Sequence, residues 1–439
     1  MGKHLHKIFT PISIRSYIYY NIKKFKLYFT LNKTKKTKLK RPFLFFCLIT
    51  LIFSSCSDDP VVNGNNVKSE KLQSMVDSLT NYYYTQRNIT SGGFLVKINN
   101  SSGNYFASSG IVPSPQESSH LRIASITKTF TAAAIMLLHQ QGKLNINDFI
   151  TGNFPGTNTP YMPQTPDYDV PYKAQITMKL LLEHRAGVFD VTNDKIPASV
   201  QQPYAGQLYA VYIMDLPGNE FHTFTFDEMV GVAATNDLSY FPPNQQYHYS
   251  NTGYHILGKI IERASGLTWS EFVKTNFFQP LSLNNTSSVW QGSDVNIPAP
   301  YIESYVYTNG IKINTTVQNY SSHVAEGNII STPADISKWM TLLIKGQTGV
   351  NTSSVDQMKM VIPTNEPGLN AHYGLGICHI DELGYGHGGA LLSYLLIDFY
   401  NPDTGTTVLV AANFWDLEIV VAQNNGMIEF AKNAVIAVQ

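Results

Sequence analysis

Cysteine is nearly missing from this chain, with three among 439 residues, at positions 47, 56 and 378. Two of the three fall in the first 56 residues, so the body carries a single thiol. That excludes an intrachain disulfide framework and a cysteine-built metal cage. Charge is scarce too, at 14% of residues against 43% apolar, which excludes a solvated, disordered chain. The apolar segment 42–53 is well short of the roughly 20 residues a membrane-spanning helix needs. No internal repeat organises the sequence. Acidic residues are absent from the first 41 positions, which hold 12 of the 31 Lys and Arg; the remainder has 19 basic against 31 acidic groups, a net of −12. A body of that sign repels phosphate backbones, so a nucleic acid is excluded as partner.

What is present begins with the leader. A basic stretch, the apolar segment 42–53 and a small-residue site ending in cysteine read as a secretory signal. Phe53-Ser54-Ser55-Cys56 resembles a bacterial lipobox, which implies cleavage before Cys56 and lipidation of that residue. Ser57-Asp58-Asp59 is similar to the acidic tag of some surface-exposed lipoproteins. The expected organisation is a signal peptide over 1–56, a polar, turn-rich tether over 57–69 and a folded domain over 70–439. The protein is then expected at the bacterial cell envelope, lipid-anchored, on its periplasmic or its outer face.

Inside the domain, apolar residues at Leu72, Met75, Val76 and Leu79 predict a helix over Glu70 to Tyr84. Two β-rich runs, from Gly93 and from Asn104, are joined by a hairpin signature. Residues 144–330 read as helical pieces and long loops. Ile176 to Gly187 is predicted as a short helix and its stop, with a capping residue at its start and Glu183 and His184 in a local structural role. Gly253 to Lys259 mimics a phosphate loop, but Ile260 stands where Ser or Thr is needed, so a helix start is expected. Thr332 followed by Pro333 announces another helix. Tyr373–Ile380, Tyr385–His387, Ser393–Tyr400 and Thr406–Phe414 read as an antiparallel meander, followed by a last helix near Asn425–Val438. The expected fold class is α+β: an antiparallel sheet built from both chain ends (about 70–120 and 340–439), flanked by helices, plus a mostly α-helical part (about 121–339).

Three stretches carry candidate chemistry. Ser125 and Lys128 form a Ser-x-x-Lys at the start of a helix that runs to a capping glycine, Gly142. Residues three apart share a helix face, so the Lys128 amine can reach the Ser125 hydroxyl, as a nucleophile and its base require. Tyr249-Ser250-Asn251 sits in a loop before a helix, where a tyrosine can relay protons and an asparagine can hold an amide. Gly386-His387-Gly388-Gly389 falls on a strand edge, where glycines admit close approach of a peptide-like ligand. No metal-ligand spacing is present, and no cofactor is expected.

Together these residues resemble the serine β-lactamase and D,D-peptidase superfamily. Ser125-x-x-Lys128, Tyr249-x-Asn251 and His387-Gly388-Gly389 stand in the family's motif order. Thr177–Gly187, Phe277–Leu283 and Ala325–Thr332 are similar to its flanking segments, and the likeness spans about 70–439. Tyr249 points to the branch holding class C β-lactamases, D-Ala-D-Ala carboxypeptidases, D-aminopeptidases and related esterases. The resemblance implies a β-lactamase/transpeptidase-like fold and acyl transfer through an ester on Ser125. A Lys128 made neutral by burial, together with Tyr249, would manage the proton, either of them serving as base. The backbone N–H groups of Ser125 and Ala390 would hold the oxyanion, Asn251 the acyl-side amide, and His387 a terminal carboxylate. The leading expectation is a D-Ala-D-Ala carboxypeptidase-like peptidase on envelope peptides. Alternatives are an esterase, a weak class C-like β-lactamase, or a non-catalytic binder of penicillins or muropeptides.

Overall fold

The computed structural model describes residues 64–391 and 394–439. The leader, the lipobox with Cys56, and the tether as far as residue 63 lie outside the described residues. Helix α1 spans Gly64–Arg87. It takes in positions 64–69, which the sequence reading assigned to the tether. Lys68 secures this extension by donating to the carbonyl of Gln439 at 2.7 Å and to Ser102 Oγ at 3.1 Å.

Strands β1 (Phe94–Asn100) and β2 (Gly103–Ser109) form the early hairpin. Helices α2 (Thr127–Gln140), α3 (Met178–Leu182), α4 (Asn251–Ser265) and α5 (Pro333–Ile344) follow, separated by shorter helices and long loops. The late strands are β3 (Ile362–Pro363), β4 (His372–Tyr373), β5 (Cys378–Ile380), β6 (Gly384–Leu391), β7 (Tyr394–Asn401) and β8 (Thr406–Ala412), and the chain closes with α6, Val420–Ala437. The eight strands make one sheet in the order β2-β1-β8-β7-β6-β5-β4-β3. The early hairpin joins the late meander through the antiparallel β1–β8 pair, Phe94 opposite Ala412. One sheet is thus completed by both ends of the described domain, as the patterning predicted.

Several late elements differ from expectation: the strand expected over Tyr385–His387 runs over Gly384–Leu391, and the one expected over Thr406–Phe414 ends at Ala412, with Phe414 opening a separate short strand, Phe414–Asp416. The run Tyr373–Ile380 divides into β4 and β5 because Gly376, at φ +72°, turns the chain between them. A Cβ at that glycine would lie 2.4 Å from the Ala132 methyl, so the turn presses on α2. The last helix also starts earlier than read, at Val420, where the Gln423 side chain ties it down by bonding Phe414 O and Asp416 N.

Alternation along the central strands explains the layering. Phe94, Val96, Leu395, Ile397, Phe399, Val408 and Val410 face α1 and α6, while Leu95, Leu396, Leu409 and Ala411 face the core containing α2, α4 and α5. A central strand covered on both faces reads as a continuous apolar run, and β8 does so. Helix α2 is buried along almost its whole length because it runs through the centre of the larger core.

Candidate active site

Ser125 lies in a single 3₁₀ turn, Ala124–Ile126, which leads into α2. Its neighbour Ala124 holds φ +51°, a left-handed conformation that costs a non-glycine residue free energy and is kept only where the surroundings impose it. The surroundings here are β6. A Cβ at Gly389 would stand 2.4 Å from Ile123 O and 3.2 Å from Ala124 Cβ, so the strand runs directly against the serine turn. Strand β5 accompanies β6 only as far as Gly386, and beyond it the edge carrying Gly388, Gly389 and Ala390 has no strand partner among the described residues. Ser125 and Ala390, the expected oxyanion donors, therefore lie on two segments in contact.

Lys128 is fully buried, and its Nζ stands 3.2 Å from Ser125 Oγ. It also donates to Asn251 Oδ1 at 2.6 Å, to the carbonyl of Glu326 at 2.9 Å and to Glu326 Oε2 at 3.2 Å. Carbonyl and carboxylate oxygens only accept, and three such acceptors require three N–H groups. A neutral amine has two. Burial pushes the Lys128 pKa down, but Glu326 and then Asp190 pull against it. Glu326 is itself fully buried; burial raises its carboxyl pKa, yet Lys128, His323 and His255 outweigh that and hold it down at about 2. Burial prevails in the balance at Lys128 and leaves its pKa below the ordinary value, while the three acceptors around Nζ supply the contacts that an ammonium would use.

Tyr249 is half-buried and shares a hydrogen bond with Ser125; burial keeps its phenol well above the ordinary range. Its ring stacks on His184 at 4.1 Å, and Lys128 Nζ lies 4.8 Å from its ring centre. Asn251 opens α4, capped by the Ser250 hydroxyl, so the Tyr-Ser-Asn segment is fixed by a helix N-terminus. With Asn251 Oδ1 given to Lys128, its amide N–H₂ is the end left to meet a substrate carbonyl.

His387 departs from the reading. It is 1% exposed, and both ring nitrogens have partners: Nε2 with Tyr373 Oη at 2.8 Å and Nδ1 with Gly388 O at 2.5 Å. Tyr373 Oη in turn lies 3.2 Å from His184 Nε2, while His184 Nδ1 accepts from Ser250 N–H at 3.1 Å. The proton positions follow from one end of this chain. Because His184 Nδ1 accepts, its Nε2–H donates to Tyr373, the tyrosine donates to His387 Nε2, and His387 Nδ1–H donates to Gly388 O. Burial holds both imidazoles neutral, His387 at about 3 and His184 well below its ordinary value. A neutral, fully bonded His387 is not a cationic anchor for a terminal carboxylate. It ties β6 to β4 and, through His184, buttresses Tyr249.

Sequence reasoning did not single out Glu326, His184 or Tyr373 as site residues. A signal existed for the first: an acid between Ala325 and Gly327 in a run of small and apolar residues is costly to bury unless it is paired. Among the described residues no group of three or more His, Cys, Asp or Glu could hold a metal ion.

A serine in the turn that leads into a lysine-bearing helix, a tyrosine and an asparagine at the start of α4, and a glycine-rich edge strand on an antiparallel sheet define the serine hydrolase superfamily of β-lactamase and penicillin-binding type. A model of the family described as Beta-lactamase matches residues 103–426, and the chain belongs to that family. The curated proteins it resembles include Penicillin-binding protein 4* of Bacillus subtilis (strain 168), 32% identical over 166 residues, 37% of this chain and 29% of that protein. Protein flp of Staphylococcus aureus (strain NCTC 8325 / PS 47) is 23% identical over 303 residues, 66% and 52% of the two. The chain thus spans about half or less of the curated relatives it matches. Among solved structures, the D-amino acid amidase from Ochrobactrum anthropi SV3 complexed with L-phenylalanine amide has a TM-score of 0.65 at 23% identity, covering 84% of this chain and 98% of that one. An octameric penicillin-binding protein homologue from Pyrococcus abyssi has a TM-score of 0.64 at 22% identity, covering 84% and 77%.

Proposed function

We propose that the chain is a hydrolase that forms an acyl-enzyme on Ser125 and cleaves amide bonds of small peptides bearing D-amino acids. The observation that carries this reading is the Ser125–Lys128 contact at 3.2 Å, with Tyr249 bonded to the same serine and the free edge of β6 alongside. Ser125 Oγ attacks the carbonyl when Lys128 or Tyr249 stands deprotonated; that group takes the serine proton, and the pair returns it to the departing amine. The backbone N–H groups of Ser125 and Ala390 receive the oxyanion; preorganised donors of this kind contribute about 3 kcal/mol each. Water then enters by the same route in reverse and frees the serine.

A D-Ala-D-Ala carboxypeptidase-like reaction on envelope peptides is one form of this activity. The neutral His387 favours another, in which the leaving side is uncharged, an amide or an ester, because a free carboxylate there meets no imidazolium. Weak β-lactamase action belongs to the same acyl chemistry. Lipidation at Cys56 would hold the domain at the envelope, and Cys56→Ala should then move it from the membrane to the soluble fraction.

The decisive comparison is N-acetyl-D-Ala-D-Ala against its C-terminal amide, with a penicillin and a nitrophenyl ester alongside, followed by product release and intact mass. The amide is expected to turn over at least as fast as the acid, with a Ser125-dependent mass increment on the enzyme. A tenfold or greater preference for the acid would restore the carboxypeptidase reading. Equal turnover by Ser125→Ala would remove both.

A further inference from the structure

Glu326 has two carboxylate oxygens and spends them in opposite directions. Oε2 faces Lys128 Nζ at 3.2 Å, and Oε1 takes His323 Nδ1 at 2.6 Å. Its own carbonyl is a second acceptor for Lys128 at 2.9 Å, so one residue supplies two of the three pure acceptors around Nζ. The segment is held firmly. Ala325 sits at φ +70°, its carbonyl accepts from Thr131 Oγ1 at 2.5 Å, and the Glu326 and Gly327 N–H groups both donate to His323 O. Thr131 lies on the same helix as Lys128, one turn further on, so α2 carries both the lysine and the clamp that aims the acid at it.

We propose that Glu326 is a positioning residue of this site: its carboxylate, anchored from behind by His323, keeps Lys128 charged and aimed, and so sets the pH range in which Ser125 is acylated. The inference rests on the function proposed above. Glu326 is fully buried and reaches the reaction through its contacts with Lys128 and its charge on the two candidate bases, so it acts on rate and pH dependence, not on substrate affinity. Both candidate bases feel its charge, since the carboxylate raises the pKa of Lys128 and of Tyr249. Other titratable groups surround it. His323 lies on its own segment, His255 acts on it from α4, and Asp190, pushed up to about 7 by burial and then by Asp194 and Glu326, acts from the loop after α3. His184 and His387, also within the field of Lys128, are held neutral by burial.

The test uses the full domain with Glu326→Gln, which keeps the shape and removes the charge, and Glu326→Asp, which keeps the charge. Losing a nearby negative charge lowers the pKa of either base. The acid limb of kcat/KM for ester acylation should therefore move down by about one pH unit or more in Glu326→Gln, with KM changed less than threefold. In Glu326→Asp the limb should stay within about 0.3 unit of its original place although the rate falls. Asp190→Asn identifies any limb that belongs to Asp190. A Glu326→Gln profile coincident with the unsubstituted one, or equal losses in both variants with neither limb moved, would overturn the proposal. A reading free of activity and of variant folding is the ¹⁵Nζ resonance of Lys128 in the unsubstituted protein, assigned by its loss in Lys128→Met. An ammonium is expected at pH 7, and a neutral amine there overturns the proposal. If no Ser125-dependent acylation occurs with any probe, the functional reading has failed while this resonance still decides the role of Glu326.

Discussion

Gly389→Ala probes the seam between β6 and the serine turn. The added methyl would stand 2.4 Å from Ile123 O, about 1 Å short of ordinary contact, and 3.2 Å from Ala124 Cβ. The obstacle is backbone on one side and a methyl fixed to a strained residue on the other, and neither can swing away. The strand and the turn must part by something near that shortfall, moving the Ser125 N–H relative to the Ala390 N–H. A displacement of about 1 Å in a reacting geometry costs on the order of 100-fold in rate, and overpacking of this kind costs roughly 1–3 kcal/mol of stability. Gly388→Ala is the matched control. Its methyl meets the end of the Leu369 side chain at 2.0 Å, which a rotamer change relieves, and ordinary backbone only at 3.4 Å. Acylation of a nitrophenyl ester, timed by intact mass, and thermal unfolding by circular dichroism measure both effects. The expected result is an acylation rate about 100-fold lower for Gly389→Ala and within a few-fold of the starting rate for Gly388→Ala. Losses of similar size in the two variants, or less than a threefold loss in Gly389→Ala, would refute the placement of the oxyanion donors at this seam.

Further outcomes follow from the same contacts. Tyr373→Phe removes the hydroxyl between His387 Nε2 and His184 Nε2; leaving two buried ring nitrogens unmet costs about 1–3 kcal/mol each, and kcat should fall more than KM as Tyr249 loses its support. A melting temperature within one degree of the starting value would argue against the chain of bonds described here. The histidines also set an acid limit. His387 and His255 have folded pKa values depressed to about 3 and about 4 by burial, so their contribution is present above the unfolded value near 6.5 and is lost as pH falls below it. Between those limits each should remove on the order of 1.4 kcal/mol per pH unit, seen as a denaturation midpoint that falls steadily from pH 6.5 to 5. Asp190 and Asp398, whose folded carboxyl pKa values burial raises, act in the opposite sense over the same interval, so the measurement is made in Asp190→Asn with Asp398→Asn, where a flat midpoint would mean that these imidazoles are charged in the folded state. Ser125→Ala should keep its melting temperature within a few degrees while losing the acyl mass increment, and retention of the increment would place the nucleophile elsewhere.

Much of the fold was legible because its signals are local. Alternating apolar residues marked the strands, Thr332-Pro333 marked α5, and Gly142, at φ +69° just past α2, closed the helix where a capping glycine was expected. Thr177 caps α3 by accepting from Leu180 N–H, as its position suggested, although that helix is only five residues long. The Gly253–Lys259 segment lies inside α4, in line with its reading as a helix start. Boundaries that depend on distant contacts were not legible: the start of α1 is held by Lys68 reaching the far end of the chain, and the break between β4 and β5 by a glycine pressed against α2.

The sequence by itself determined the nucleophile and lysine pair, because three residues of helix spacing bring Ser125 and Lys128 together wherever the helix lies. It also determined the order of the three stretches that converge on them. Only the tertiary structure decided the state of those groups. Whether Lys128 is an amine or an ammonium depends on Glu326, 198 positions away. Whether His387 is a cation or a neutral link depends on Tyr373 and His184, on two other segments. Protonation in a buried site is governed by the charges and acceptors within a few ångströms, and a linear sequence does not state which distant residues those are.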